Sequence, residues 1–273
     1  MTMWILHSFS EKNRLKFEGK IIASIEARMT SSRLPGKVLM EMGGKPVLQI
    51  LIERLKRSKY LNEIVIAATD NKADDPIELL GKKINIPVFR GSEEDVLGRV
   101  VGAAESVKGD LIVEVTGDCP LMDPEVMDKV IEEYLNQYPE YDYVTNIGYV
   151  ENQEREIPIG MDIRVFTYND LKHISEITDD PEDREHVSLY FFRTGKDKYK
   201  LLNVDTPDEW KRDYKVRLAL DTAEDFQFIE KVYTELSGIN PEFGLEDILN
   251  FLDKNKDLLK INSQVIQKTV SNL

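Results

Sequence analysis

A single cysteine, Cys119, is present in 273 residues, so no disulfide framework can form within the chain. That scarcity predicts a reducing, cytoplasmic setting. Long apolar runs are also missing: none approaches the roughly 20 residues that cross a bilayer. The stretch from Met1 to Phe9 is mildly apolar but has no basic start, no long apolar core and no small-residue cleavage site, so it is not expected to be a signal peptide. Cations are in deficit, with 36 Lys and Arg against 50 Asp and Glu and a net charge of −14. That balance excludes nonspecific nucleic-acid binding and attraction to anionic membranes, both of which need a basic face. An acidic protein that handles a phosphorylated ligand must gather its few cations in one place.

What the chain does have is an alternation of apolar strand-like runs and helical patterns. This predicts an α/β fold with a mostly parallel sheet flanked by helices. Strands are expected at Ile21–Ile25, Glu63–Thr69, Val88–Arg90, Asp110–Thr116, Lys200–Val204 and Val216–Leu220. Helices are expected over Pro46–Lys59, Asp74–Ile84, Asp95–Val107, Pro124–Gln137, Tyr168–Ile177, Glu182–Arg193 and Glu224–Leu236. Residues 141–166 break the pattern with Gly148, Pro158 and Gly160 and read as a small β-rich insertion. Residues 1–19 read as an N-terminal extension, 20–253 as one domain, and 254–273 as a C-terminal helix or tail.

The cations gather after the first strand. Arg28, Arg33 and Lys37 fall within ten residues, interleaved with Thr30, Ser31 and Ser32 and followed through a Pro35-Gly36 turn. Small residues let backbone N–H groups approach a polyphosphate while fixed cations neutralise it. An ordinary basic surface loop is the plainer alternative. The glycine spacing matches neither a Walker A loop nor a dinucleotide fingerprint. Asp118 follows the run Leu111–Val115 in Thr116-Gly117-Asp118-Cys119-Pro120-Leu121. A carboxylate just past a buried strand is placed to hold Mg²⁺ against phosphate, or to cap the next turn. Asp221 ends the run Val216–Leu220, and either Asp221 or Thr222 can cap the helix that follows. A near-copy, Asp205-Thr206-Pro207-Asp208-Glu209, competes with it, but the strand before Asp221 is longer and more apolar. Cys119 reads as a small buried residue rather than a nucleophile.

The order of residues in the loop, A-R-M-x-S-x-R-L-P-G-K over Ala27–Lys37, resembles the signature loop of the sugar cytidylyltransferases, which include CMP-KDO and CMP-sialic acid synthetases and a spore-coat polysaccharide type. Thr116–Leu121 is similar to that family's metal-binding loop, and Asp221–Asp225 to its V-D-T-P-E-D motif, with Ala223 in place of Pro. Arg90–Arg99 is similar to an R-G-S-x-x-D-V-L-x-R stretch, and Arg184–Val187 to an R-E-H-V segment on the sugar side. Gly160–Phe166 resembles a G-x-D-x-E-V-F strand, with Arg164 where an acidic residue is common. Glu26 stands where the wider family has Pro or Gln, and it is expected to point away from the loop or to pair with a cation.

The resemblance, over residues 20–236, implies a Rossmann-like nucleotide-diphospho-sugar transferase fold and transfer of CMP from CTP to a small sugar with release of pyrophosphate. It implies Arg28, Lys37, Asp118 and Asp221 as catalytic residues. Nucleotide contacts would come from Ala27, Arg28, Ser32, Arg33, Lys37, Ser92, Asp95 and Gly117. Sugar contacts would come from Asp162, Arg184, Glu185 and His186, and Mg²⁺ would sit on Asp118 and Asp221. Ser92 and Asp95 can instead be plain helix caps, and His186 a structural residue. A homodimer is implied because related enzymes pair through an arm like residues 141–166. Two other functions stay open. A glycosyltransferase of similar fold would need a D-x-D after a strand, and none here fits. A non-catalytic nucleotide-binding domain would have little reason to keep both carboxylates and both loop cations.

Overall fold

Along strand β1 (Ile21–Ala27), Ile21, Ala23, Ile25 and Ala27 enter one hydrophobic cluster and Ile22 enters another. A strand apolar on both faces must sit in a sheet covered on both sides. The structure, a computed structural model, describes residues 17–148 and 155–267. After β1 come a small antiparallel ribbon of β2 (Glu41–Met42) and β3 (Lys45–Pro46), then helix α1 (Val47–Leu55). The chain continues through β4 (Glu63–Thr69), α2 (Asp75–Ile84), β5 (Val88–Gly91), α3 (Val96–Ser106), β6 (Leu111–Thr116) and α4 (Pro124–Gln137). It then runs through β7 (Tyr143–Thr145), β8 (Arg164–Thr167), α5 (Tyr168–Ile177), α6 (Pro181–Glu185), α7 (Leu189–Phe192), β9 (Leu201–Asn203), α8 (Ala223–Ile239) and α9 (Leu245–Lys254).

The main sheet has the order β5-β4-β1-β6-β8-β7-β9. β5, β4, β1 and β6 are parallel; β8 runs antiparallel to both neighbours, and β9 pairs parallel with β7. One face is packed by α1, α4, α8 and α9, through residues such as Leu51, Val130, Phe228 and Ile248. The other is packed by α3, α5 and α7, through Val100, Ile174 and Phe191. The chain leaves β1 toward β4 on one side and returns to β6 on the other. Ligands in open α/β sheets bind at the carboxyl ends of strands at such a reversal.

Most expected elements form within two residues of their expected bounds. The helix expected over Pro46–Lys59 stops at Leu55, and the one expected over Glu224–Leu236 runs on to Ile239. Four further regions differ. The segment over 141–166 supplies β7 and β8, which are integral to the main sheet; residues 149–154 lie outside the described residues. The expected helix 182–193 is broken into α6 and α7 at His186, where Val187 turns into the second cluster. Val216–Leu220 is buried and extended but is no ladder strand. It hydrogen-bonds to loops, Leu218 N to Ile159 O at 2.7 Å and Leu220 N to Asp118 O at 2.8 Å. Beyond α8, helix α9 was not expected, and the tail packs inward as far as the buried Asn262. Residues 1–16, most of the expected extension, and 268–273 lie outside the described residues.

Candidate active site

β1 delivers the cationic loop. Gly36, at φ 73°, takes a left-handed turn that a side chain would strain. Its N–H closes the loop onto Met29 O at 2.8 Å, and Met29 N is held by Asp74 Oδ1 at 2.7 Å. The next residues, Lys37–Leu39, form a 3₁₀ turn that tucks Lys37 inward to 8% exposure. Beside β1, β6 pairs Thr116 with Glu26, and Gly117 N donates to Glu26 O at 2.9 Å. A Cβ on Gly117 would lie 2.8 Å from that oxygen, so only glycine lets the Asp118 loop approach β1 this closely. The 216–220 segment brings in Asp221. The Thr222 side chain accepts from Asp225 N and caps α8, which leaves the Asp221 side chain free of capping.

Two carboxylates 103 positions apart therefore meet one ammonium. Lys37 Nζ lies 2.7 Å from Asp118 Oδ2 and 2.9 Å from Asp221 Oδ1. Arg33 Nη2 lies 2.8 Å from Asp221 Oδ1, and Arg217 Nη2 lies 2.6 Å from Asp221 Oδ2. Burial alone would depress the Lys37 ammonium, but the Asp118 and Asp221 carboxylates outweigh it and hold it above the usual lysine range. Burial works against ionised Asp221 too, yet Lys37, Arg33 and Arg217 keep it below the usual carboxylate range. All of this favours the charged forms near neutral pH.

The donor set suits a hard divalent cation. Two carboxylate oxygens already converge on one positive charge, and no cluster of three or more His, Cys, Asp or Glu ligands exists among the described residues. Mg²⁺ commonly takes one or two carboxylates and completes its shell with phosphate oxygens and water. The site fits that habit and lacks the all-protein cage of a structural metal.

These groups open into a cleft of about 1020 Å³. Among the residues expected from sequence, Ala27, Arg28, Ser32, Arg33, Lys37, Ser92, Gly117, Asp118, Asp221, Glu185 and His186 line it. Three do not. Asp95 accepts from Gly98 N at 2.9 Å as the cap of α3 and pairs with Arg184 Nη1 at 3.2 Å, so each occupies the other outside the cleft. Asp162 is tied to Arg155, with Arg164 4.0 Å away. The near-copy at 205–208 lines a separate cleft of about 1260 Å³.

Several cleft residues were given no site role in the sequence reading. Glu26, expected to point away or to pair with a cation, lines the cleft and makes no direct ion pair among the described residues. Its Oε1 is buried without a hydrogen-bond partner, and burial, then the Glu114 charge, push its carboxyl well above the usual range. Glu93 joins the loops, accepting from Arg28 Nη1 at 3.2 Å and from Thr30 and Asn71. Arg99 donates to Ala67 O at 3.2 Å and to Ser92 O. Arg217 had a legible signal, a lone cation inside the apolar run V-R-L-A-L. Arg164 also has a local reason: it sits opposite Glu114 in the β6–β8 ladder, 3.3 Å from its carboxylate. Cys119 is 4% exposed; burial, then the Asp118 charge, raise its thiol well above the usual range, which agrees with a structural role.

A Rossmann-like sheet with its cations on the first loop and its carboxylates at the strand-order reversal suits phosphorylated ligands, the kind that nucleotidyltransferases handle. Comparison with known proteins narrows the class. Residues 22–262 match the cytidylyltransferase family model, and the chain belongs to that family. It is 37% identical over 250 residues to an uncharacterized protein of Methanocaldococcus jannaschii, covering 92% of this chain and 97% of that one. It is 35% identical over 242 residues to the spore coat polysaccharide biosynthesis protein SpsF of Bacillus subtilis, covering 87% and 95%. A solved cytidylyltransferase from Leptospira borgpetersenii superposes with a TM-score of 0.81 at 33% identity, covering 92% of this chain and all of that one. No helix among the described residues is long and apolar enough to cross a membrane.

Proposed function

We propose that this cytidylyltransferase transfers CMP from CTP to a small acidic sugar used in surface polysaccharide synthesis. The reading rests on one observation above all: the Lys37 ammonium is shared by Asp118 and Asp221 at the mouth of a cationic loop. The sugar oxygen attacks the α-phosphorus in line. A new P–O bond forms as the bond to pyrophosphate breaks, and a hydroxyl nucleophile gives up its proton to solvent. The protein contributes positioning and charge stabilisation. Arg28 and Lys37 hold the phosphates and offset the charge growing on the leaving pyrophosphate, with Arg33 as a further contact. Asp118 and Asp221 would hold Mg²⁺, which when bound would neutralise phosphate charge and polarise the α-phosphate. Ala27, Ser32, Gly117 and Ser92 face the nucleotide, and Glu185 and His186 face the sugar.

The acidic sugar follows from the resemblance to CMP-KDO and CMP-sialic acid synthetases, and the polysaccharide setting from the name of SpsF. The same reading gives a cytoplasmic homodimer. Pyrophosphate release from CTP, scored against a panel of acidic sugars, tests the activity. Asp118→Ala is expected to abolish most turnover while the melting temperature stays near wild type. Unchanged turnover in that variant refutes the metal assignment.

A further inference from the structure

Asp221 does not hold its orientation alone. Arg217, 7% exposed, divides its guanidinium between two acids: Nη2 donates to Asp221 Oδ2 at 2.6 Å and Nε to Asp225 Oδ1 at 3.0 Å. Asp225 is fully buried, and its other oxygen accepts the backbone N–H groups of Asp221 at 3.0 Å and Thr222 at 3.1 Å. Asn262, 4% exposed and 37 positions beyond Asp225, donates to Asp225 Oδ1 at 2.9 Å and to Arg217 O at 3.1 Å. The Arg217 Nη1 group also donates to Gln267. The Asp221 carboxylate is thus gripped from behind through Oδ2, and Oδ1 is left to face Lys37 and Arg33.

We propose that Arg217, Asp225 and Asn262 form a brace that orients Asp221 for the divalent cation, with Arg217 and Asn262 as positioning residues. The inference rests on the assignment of Asp221 as a metal ligand. Buried ion pairs are weak sources of stability, and apolar side chains of similar size often serve as well. Fixing one oxygen of a ligating carboxylate is a task apolar packing does not perform, whereas hydrogen-bond partners behind a ligand set its direction and affinity. Arginine suits the task because its planar fork reaches two carboxylates at once, while a lysine ammonium is a point charge. The C-terminal segment takes part through Asn262, so the site is completed from outside the sheet.

The test uses the full chain, Mn²⁺ as the spectroscopic probe, and a CTP analogue with a methylene bridge between the α- and β-phosphorus. Mn²⁺ affinity is read by electron paramagnetic resonance, nucleotide affinity by calorimetry, and folding by melting temperature. Arg217→Lys is expected to weaken Mn²⁺ about tenfold, within the range seen when partners behind a metal ligand are changed, with analogue affinity held within about twofold. Asn262→Ala should weaken Mn²⁺ about threefold in the same way, and it carries the test should Arg217→Lys fail to fold. Wild-type Mn²⁺ affinity in folded Arg217→Lys or, failing that, Asn262→Ala overturns the brace, even if the melting temperature falls. Asp221→Ala separates the two readings. Loss of Mn²⁺ binding there alone leaves the ligand assignment standing without the brace, and wild-type Mn²⁺ affinity there overturns both.

Discussion

Glu26, the last residue but one of β1, has one carboxylate oxygen buried and without a hydrogen-bond partner among the described residues, and it feels the charge of Glu114 on the neighbouring strand. Burial and the Glu114 charge raise its carboxyl, against the opposing pull of Arg164 and Arg99. The folded protein therefore holds this proton more tightly than the unfolded chain. Its contribution to stability is complete below the ordinary glutamate range and is lost as pH rises toward the higher folded-state value. Glu26→Gln is uncharged at every pH. Its melting temperature should gain on wild type as pH is raised from about 5 to about 8, and a constant difference across that range would show that Glu26 is ionised when folded. Arg28, Lys37, Asp118 and Asp221 could be picked out because each sits in a dense local motif. Glu26 stood out as unusual, but its state was not legible, because it depends on Glu114, which lies 88 positions away and is only brought near by strand pairing. The pairing of Asp95 with Arg184 was invisible for the same reason, because the two lie 89 positions apart.

Helix α8 begins where its local chemistry says it should. Thr222 and Asp225 form a capping box, with each side chain bonded to the other's backbone N–H. Thr222→Ala should cost about 1 kcal/mol, seen as a fall of roughly 2–4 °C in melting temperature, and Thr222→Ser should recover most of it. Elements of this kind were readable from sequence because cap, periodicity and length agree within a few residues. Pro124–Gln137 and Tyr168–Ile177 are cases, capped by Asp123 and Thr167. The run Val216–Leu220 was expected to be a strand, and it is buried but makes only an isolated bridge to Ile159. That outcome was invisible, because only the fold decides that its N–H groups meet Ile159 and Asp118.

At the scale of the whole molecule, α/β alternation predicted the parallel block β5-β4-β1-β6, where each strand is followed by a helical pattern. The other half of the sheet was legible only in outline. A strand was expected where β9 forms and β-rich structure where β7 and β8 form, but these strands are three or four residues long and join the sheet out of chain order, which no local pattern declares. The excess of acid was legible in composition, and so was the gathering of Arg28, Arg33 and Lys37 on one loop. Their pairing was not: Lys37 meets both Asp118 and Asp221, Arg33 meets Asp221, and Arg28 turns to Glu93.

The molecule's one thiol is sealed under the Asp118 loop and kept protonated. Ellman's reagent should therefore leave the native protein colourless and titrate one equivalent only after denaturation; prompt reaction without denaturant would show that the loop opens. A cysteine engineered on the surface would then accept a fluorophore or spin label alone. Movements of this enzyme could be followed optically without first stripping sulfur from its sequence.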